Sequence, residues 1–161
     1  MSYTSTTIGD VIDDVNVRYF LPAIQRPFVW TSNQVVALFD SLLKGYPIST
    51  FMFWAVEDET KRAARIYRFI EHYQKDVMND LAATEGRQVV LVLDGQQRLT
   101  SLLIGLRGSY AEKIKNARRA NPNAWVPRTL YLDLLKDPDW SDDDEEHDLG
   151  VTYGLRFEDT P

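Results

Sequence analysis

The sequence predicts an α/β (α+β) chain, a small mixed sheet flanked by helices, and three observations carry that prediction. Val89-Val90-Leu91-Val92-Leu93 is an unbroken β-branched and leucine run, the mark of a strand buried on both faces. Leu99, Leu102, Leu103 and Leu106 then return at helical spacing, so the period switches from strand to helix across Asp94-Gly95-Gln96-Gln97-Arg98. Residues 50–56, Thr-Phe-Met-Phe-Trp-Ala-Val, are strongly strand-forming and mostly apolar, which places them inside the same sheet.

Taken in order, Thr7 can cap a short helix that buries Ile8, Val11, Ile12 and Val15, with Asp10 at capping-box distance. Residues 18–21 form a brief strand ending at Pro22. Gln25-Arg26-Pro27-Phe28-Val29-Trp30 follows, with Arg26 held extended by the proline after it. Phe28 and Trp30 are expected to tuck into the core, which fixes the polar heads of Gln25 and Arg26 at one spot. Thr31 and Gln34 form a second capping-box pair, then Val35, Leu38, Phe39, Leu42 and Leu43 share a helix face until Gly45 and Pro47. Ordinary packing is expected for Phe53 and Trp54, although either ring could stack on a base.

Residues 57–65 make a charged connection. Ile66, Ile70, Tyr73, Val77 and Leu81 follow helical spacing and predict a helix, with His72 on or near its surface. Residues 82–87 are a loop before the central strand. Gly105 and Gly108 end the helix that begins after Arg98. Residues 110–120 are helix-prone and carry Lys113, Lys115, Arg118 and Arg119, a solvated basic face that could also meet a phosphate backbone. Asn121-Pro122-Asn123 breaks the chain, residues 128–135 form another strand, and residues 151–157 alternate weakly as a last one.

The chain has 161 residues and reads as one domain, 1–161, with 44% hydrophobic residues and a net charge of −6. That charge is unevenly placed. Residues 137–161 hold ten acids and one base, leaving 17 bases against 14 acids elsewhere. The acidic stretch at 137–150 reads as a solvated loop, because its spacing matches no calcium-loop pattern. No cysteine occurs, which excludes disulfides, thiol nucleophiles and cysteine-ligated metals and is compatible with a reducing cytoplasm. No apolar run approaches the ~20 residues of a membrane span, and the polar N-terminus is no signal peptide. A soluble, cytoplasmic protein with no membrane partner is expected.

The densest polar chemistry lies at 94–98. Asp94 can leave the strand in a turn, and Gly95 lets the backbone bend sharply or approach a ligand. Gln96, Gln97 and Arg98 then occupy the first turn of a helix, whose free N–H groups favour an anion. A strand–turn–helix junction with a capping acid and a locally paired arginine would explain the residues without any ligand. A phosphate would also explain them. Arg98 can bind one bidentately, the two amides add donors, and Asp94 can hold magnesium or orient a water. The Walker pattern is absent.

Leu93-Asp94-Gly95-Gln96-Gln97-Arg98-Leu99-Thr100-Ser101-Leu102 resembles the signature of the DGQQR-containing N-terminal domains of GmrSD-type modification-dependent (type IV) restriction systems. Leu21-Pro22-Ala23-Ile24-Gln25-Arg26-Pro27-Phe28-Val29-Trp30 resembles the same family's second segment, and Gly45-Tyr46-Pro47-Ile48 and Leu130-Tyr131-Leu132-Asp133-Leu134-Leu135 are similar as well. Two motifs in order, spanning about 8 to 110, make the resemblance specific. The family in turn resembles the ParB and sulfiredoxin fold, in which an Asp/Gly/Arg loop at a helix start contacts nucleotide phosphates.

The resemblance implies a nucleotide-binding, NTP-hydrolysing sensor domain of a phage-defence restriction protein, with an NTP and Mg2+ as cofactors. Gly95, Gln96, Gln97 and Arg98 would hold the phosphates, with Gln25 and Arg26 on the opposite wall. Asp94 would carry the metal or position the attacking water, so Asp94, Gln97 and Arg98 are the candidate catalytic residues. One alternative is a DNA- or modified-base-recognition module without NTP turnover. Another is a ParB-like nuclease, which needs more metal-binding acids near Asp94 than the sequence places there. Relatives usually continue into a helical region and often an HNH-type nuclease domain. The chain holds only His72 and His147, neither in such a setting, so it is expected to be part of a longer protein that acts on DNA with a nuclease domain in cis or trans.

Overall fold

The computed structural model describes residues 5–24, 26–114, 116–118, 121, 124–135 and 151–159. They form two compact units. The first comprises the described residues of 5–28, 50–70 and 78–103, the second those of 29–49, 71–77 and 104–159. Each carries a four-stranded mixed sheet, so the expected α/β class is present with its strands divided between two sheets.

In the first unit the sheet order is β2-β5-β1-β3, built from β1 (Tyr19–Pro22), β2 (Met52–Val56), β3 (Ile66–Tyr67) and β5 (Val89–Asp94). The valine and leucine run occupies β5, flanked by β1 in parallel and β2 in antiparallel pairing. Val89, Val90, Leu91 and Val92 are all buried, whereas Leu93 turns out to solvent at the strand's end. Phe20, Val56, Ile66, Val89 and Leu91 pack as one cluster. Each such side chain contributes about 1.5–3 kcal/mol of transfer free energy.

Helix α1 (Ile8–Asp14) begins with the expected box. Thr7 Oγ1 accepts from Asp10 N at 3.1 Å, and the Asp10 carboxylate reaches back to Thr7 N at 3.4 Å. Val11, Ile12 and Val15 are buried, but Ile8 is exposed. A short helix α3 (Asp58–Ala63) interrupts the charged connection. Strand β2 lies in the predicted sheet, but at its edge, with Met52 through Ala55 exposed. Apolar composition alone cannot distinguish an inner strand from an edge strand.

The predicted helix over 66–81 is absent. Ile66 and Tyr73 are buried in strands and Ile70 between them, whereas Val77 and Leu81, which the same spacing would bury, are exposed. Arg68 N–H donates to Asp80 O, Ala82 N–H donates to Ile66 O, and Asn79 Nδ2 donates to Arg68 O, folding the segment back on itself. Asn16 holds Phe69 from both sides, accepting from its N–H at 2.7 Å and donating to its carbonyl at 3.0 Å. These partners satisfy backbone groups that a helix would otherwise pair internally.

The second unit has sheet order β4-β6-β7-β8, from β4 (His72–Gln74), β6 (Ser109–Lys113), β7 (Trp125–Asp133) and β8 (Gly154–Asp159). The helix expected over 110–120 is replaced by β6, paired in parallel with β4 and antiparallel with β7. Helix propensity on so short a piece yields to ladder bonds on both sides. Gly108 admits this pairing, since a Cβ there would sit 1.8 Å from Glu71 O. Lys115 and Arg119 of the basic face, Pro122 and Asn123 of the break, and the acidic stretch 137–150 lie outside the described residues.

Helix α2 (Ser32–Leu43) starts with Thr31 and Gln34 in a reciprocal capping box, as the sequence predicts. Tyr110 lies among its neighbours in the second unit. Its hydroxyl donates to Trp30 O at 3.1 Å, and burial pushes its phenol pKa up to about 12.

Asp40, buried on α2, accepts from Thr152 N at 2.8 Å and Tyr153 N at 2.9 Å, and pairs with Lys44 Nζ at 2.6 Å. Burial alone would raise the Asp40 pKa. The Lys44 ammonium and the two backbone donors outweigh it and hold the carboxyl below its ordinary value of 3.8. Because the folded-state value is depressed, the stabilisation is complete above the unfolded value and is lost as pH falls through the native one. Asp40→Asn should therefore cost about 2 kcal/mol at pH 7. It should also flatten the acid limb of stability, which urea denaturation at a series of pH values would read.

Candidate functional site

The site grows from the end of β5. Gly95 adopts φ +85°, a left-handed conformation that side chains resist, and turns the chain directly into α4 (Gln96–Arg107). The first helical bond runs from Leu99 N–H to Gly95 O at 2.9 Å. The N–H groups of Gln96, Gln97 and Arg98 therefore precede any intrahelical acceptor, and the positive end of the helix opens at the motif. Leu99, Leu102 and Leu103 anchor α4 in the core, with Thr100 and Ser101 donating back to Gln96 O and Gln97 O.

Each motif side chain has a distinct attachment. Gln96 Nε2 donates to Val92 O at 2.8 Å, tying the first turn to the strand before it. Gln97 Nε2 donates to Pro27 O at 3.0 Å, which brings the segment carrying Arg26 against the start of α4. Arg98 Nη2 donates to Thr50 O at 2.9 Å, and its guanidinium lies 4.9 Å from the centroid of the Phe51 ring. Asp94 Oδ2 stands 3.5 Å from Arg98 Nη2, with the Asp94 side chain 67% exposed and that of Arg98 18% exposed. This is a loose ion pair, readily exchanged for other partners.

The structure thus brings Asp94, Gly95, Gln96, Gln97 and Arg98 together at one junction with the 26–27 segment beside them. Arg26 is exposed, and Gln25 falls outside the described residues. Sequence reasoning missed Thr50 and Phe51. A Cβ on Gly95 would meet Phe51 Cδ1 at 2.4 Å, so the glycine seats the Phe51 ring that in turn carries Arg98. The signal was present as an aromatic immediately before a strand partner of β5, but nothing local links residue 51 to residue 98.

Beyond Phe51, the rings of Phe53 and Tyr19 continue the row, with centroids 6.2 and 4.7 Å apart in turn and Arg18 at its far end. Phe53 packs against these neighbouring rings while remaining partly exposed, and Trp54 is exposed. Phe28 is buried, as expected. His72 is exposed on β4, its Nδ1 3.1 Å from Ser109 Oγ. Among the described residues no group of three histidines, cysteines or carboxylates could hold a metal, and no helix is long and apolar enough to cross a membrane.

A protein from Methanocaldococcus jannaschii, described as the uncharacterized protein MJ0686, is 38% identical over 117 residues. The match covers 72% of this chain but only 18% of that protein's length. The model of the GmrSD restriction endonuclease N-terminal domain matches residues 8–158, which takes in both motif segments, both sheets and the junction at Gly95. The chain therefore belongs to the family of GmrSD restriction endonuclease N-terminal domains.

Proposed function

We propose that this domain binds a nucleoside triphosphate with magnesium at the β5–α4 junction and serves as the nucleotide-dependent sensor of a restriction protein that acts on DNA. The observation that carries the reading is the exposed Asp94 carboxylate beside the Arg98 guanidinium at an open helix N-terminus. Phosphate oxygens suit the N–H groups at a helix N-terminus and the cation. Asp94 suits a magnesium ion that keeps most of its waters and takes its other ligands from the phosphates. Were such a ligand bound, Asp94 would hold the metal and Arg98 would neutralise phosphate charge, each leaving the loose pair they form with one another.

Arg26 adds charge from the neighbouring segment that Gln97 holds in place. Hydrolysis would then require Asp94 or Gln97 to orient a water, with Arg98 stabilising the charge that develops. A ParB-like and cytoplasmic setting, and a nuclease domain elsewhere in the protein, complete the proposal.

Titration of ATP, GTP, CTP and UTP, each with and without Mg2+, tests the reading. At least one should bind, with affinity that rises with Mg2+, and Asp94→Asn should lose that Mg2+-dependent increment while keeping the metal-free affinity. Binding of DNA with a steep salt dependence and of no nucleotide would favour a DNA-recognition module instead.

A further inference from the structure

Strand β2 is an edge of the sheet in the first unit, paired on one side with β5. Among the described residues no backbone hydrogen bond reaches Met52 to Val56 from the other side. Every second residue there turns its N–H and C=O away from β5. Edge strands are ordinarily protected by a lysine, a proline or a covering loop. Met52-Phe53-Trp54-Ala55-Val56 contains no charge and no proline, and Met52 through Ala55 are exposed. The irregularity of its ladder with β5 lies between Met52 and Phe53, so pairing is regular from Phe53 to Val56. Charge lies beyond the strand and differs at its two ends. Glu57, Asp58 and Glu59 follow it, all exposed, whereas Arg98 donates to Thr50 O ahead of it and lies over the Phe51 ring.

We propose that the outer side of β2 pairs with the same strand of a second copy of this chain, antiparallel about a two-fold axis at Trp54. Antiparallel pairing sets the acidic end of each β2 beside the Arg98 end of the other, whereas parallel pairing would set acids against acids. That charge complementarity selects a second copy as the occupant. In this register Phe53 faces the second copy's Ala55, large against small, and the two Trp54 side chains meet on the opposite face of the ladder. The contact is isologous and makes one continuous sheet from the first-unit sheets of both copies. A ladder this short buries less than the ~800 Å² per partner of a standard interface, so the dimer forms in a concentration-dependent equilibrium. It does not depend on phosphate binding at the β5–α4 junction.

Sedimentation equilibrium of the whole chain over a hundredfold range of concentration should show monomer and dimer. Trp54→Lys should weaken the dimer tenfold or more, since it removes an aromatic pair and sets like charges opposite each other. Its melting temperature as a monomer should be little changed, because Trp54 is 48% exposed. A second variant reads the register directly. The chain has no cysteine, so Trp54→Cys supplies a single thiol, and mild oxidation should link two chains through it, because directly opposite residues lie within disulfide reach. Glu85→Cys, at an exposed turn of the same unit, should link far more slowly. A chain that stays monomeric at every concentration leaves the edge to a strand of another protein and overturns the proposal. So does a dimer that keeps its affinity in Trp54→Lys or does not cross-link at residue 54.

Discussion

Arg98→Ala should lower the affinity for nucleotide and Mg2+ by roughly 30- to 100-fold, the equivalent of about 2–3 kcal/mol for a charge-assisted contact to phosphate. Isothermal titration would measure it. Arg98→Lys should recover only part of the loss, because a point charge can neither reproduce the fork on a phosphate nor lie flat on Phe51. Arg98→Ala also releases Thr50 O from its 2.9 Å bond, so it should lower the unfolding free energy by about 1 kcal/mol. That modest cost separates a binding defect from a folding defect. Unchanged nucleotide affinity in Arg98→Ala would move the phosphates away from this junction.

Gly95→Ala should destabilise the chain by about 2–5 kcal/mol, from two separable sources. The left-handed backbone at φ +85° costs a residue with a Cβ about 1–2 kcal/mol. The new methyl would lie 2.4 Å from Phe51 Cδ1 in a packed setting, and overpacking adds about 1–3 kcal/mol. Urea denaturation reads the sum. In a Phe51→Ala background the same glycine substitution should cost only the backbone part, since the clash is gone. A Gly95→Ala cost that ignores residue 51 would contradict the assignment of the ring as the reason for the glycine.

Where sequence and structure agree, the information was local. The Thr7–Asp10 and Thr31–Gln34 boxes, the Val89–Val92 run and the switch at Gly95 each depend on residues within a few positions of one another. Where they differ, distant partners decided. The helical spacing picked out the buried Ile66, Ile70 and Tyr73 but also the exposed Val77 and Leu81, and Asn16, far away in sequence, holds Phe69 in a segment that no helical pattern could reveal. Residues 109–113 became a strand because β4 and β7 offer ladders on either side. The same limit applies at the site. The five motif residues were legible from the sequence alone, whereas the Arg98–Phe51 contact and the Gln97–Pro27 bond connect segments that only the fold brings together.

The most direct test of the account is the backbone amide spectrum of the isotopically labelled chain during titration with a Mg2+-nucleotide. The Gly95, Gln96, Gln97 and Arg98 amide signals should move first and furthest, as their N–H groups take up phosphate oxygens. Saturable binding that leaves these four signals in place, with the largest shifts elsewhere in the chain, would contradict it.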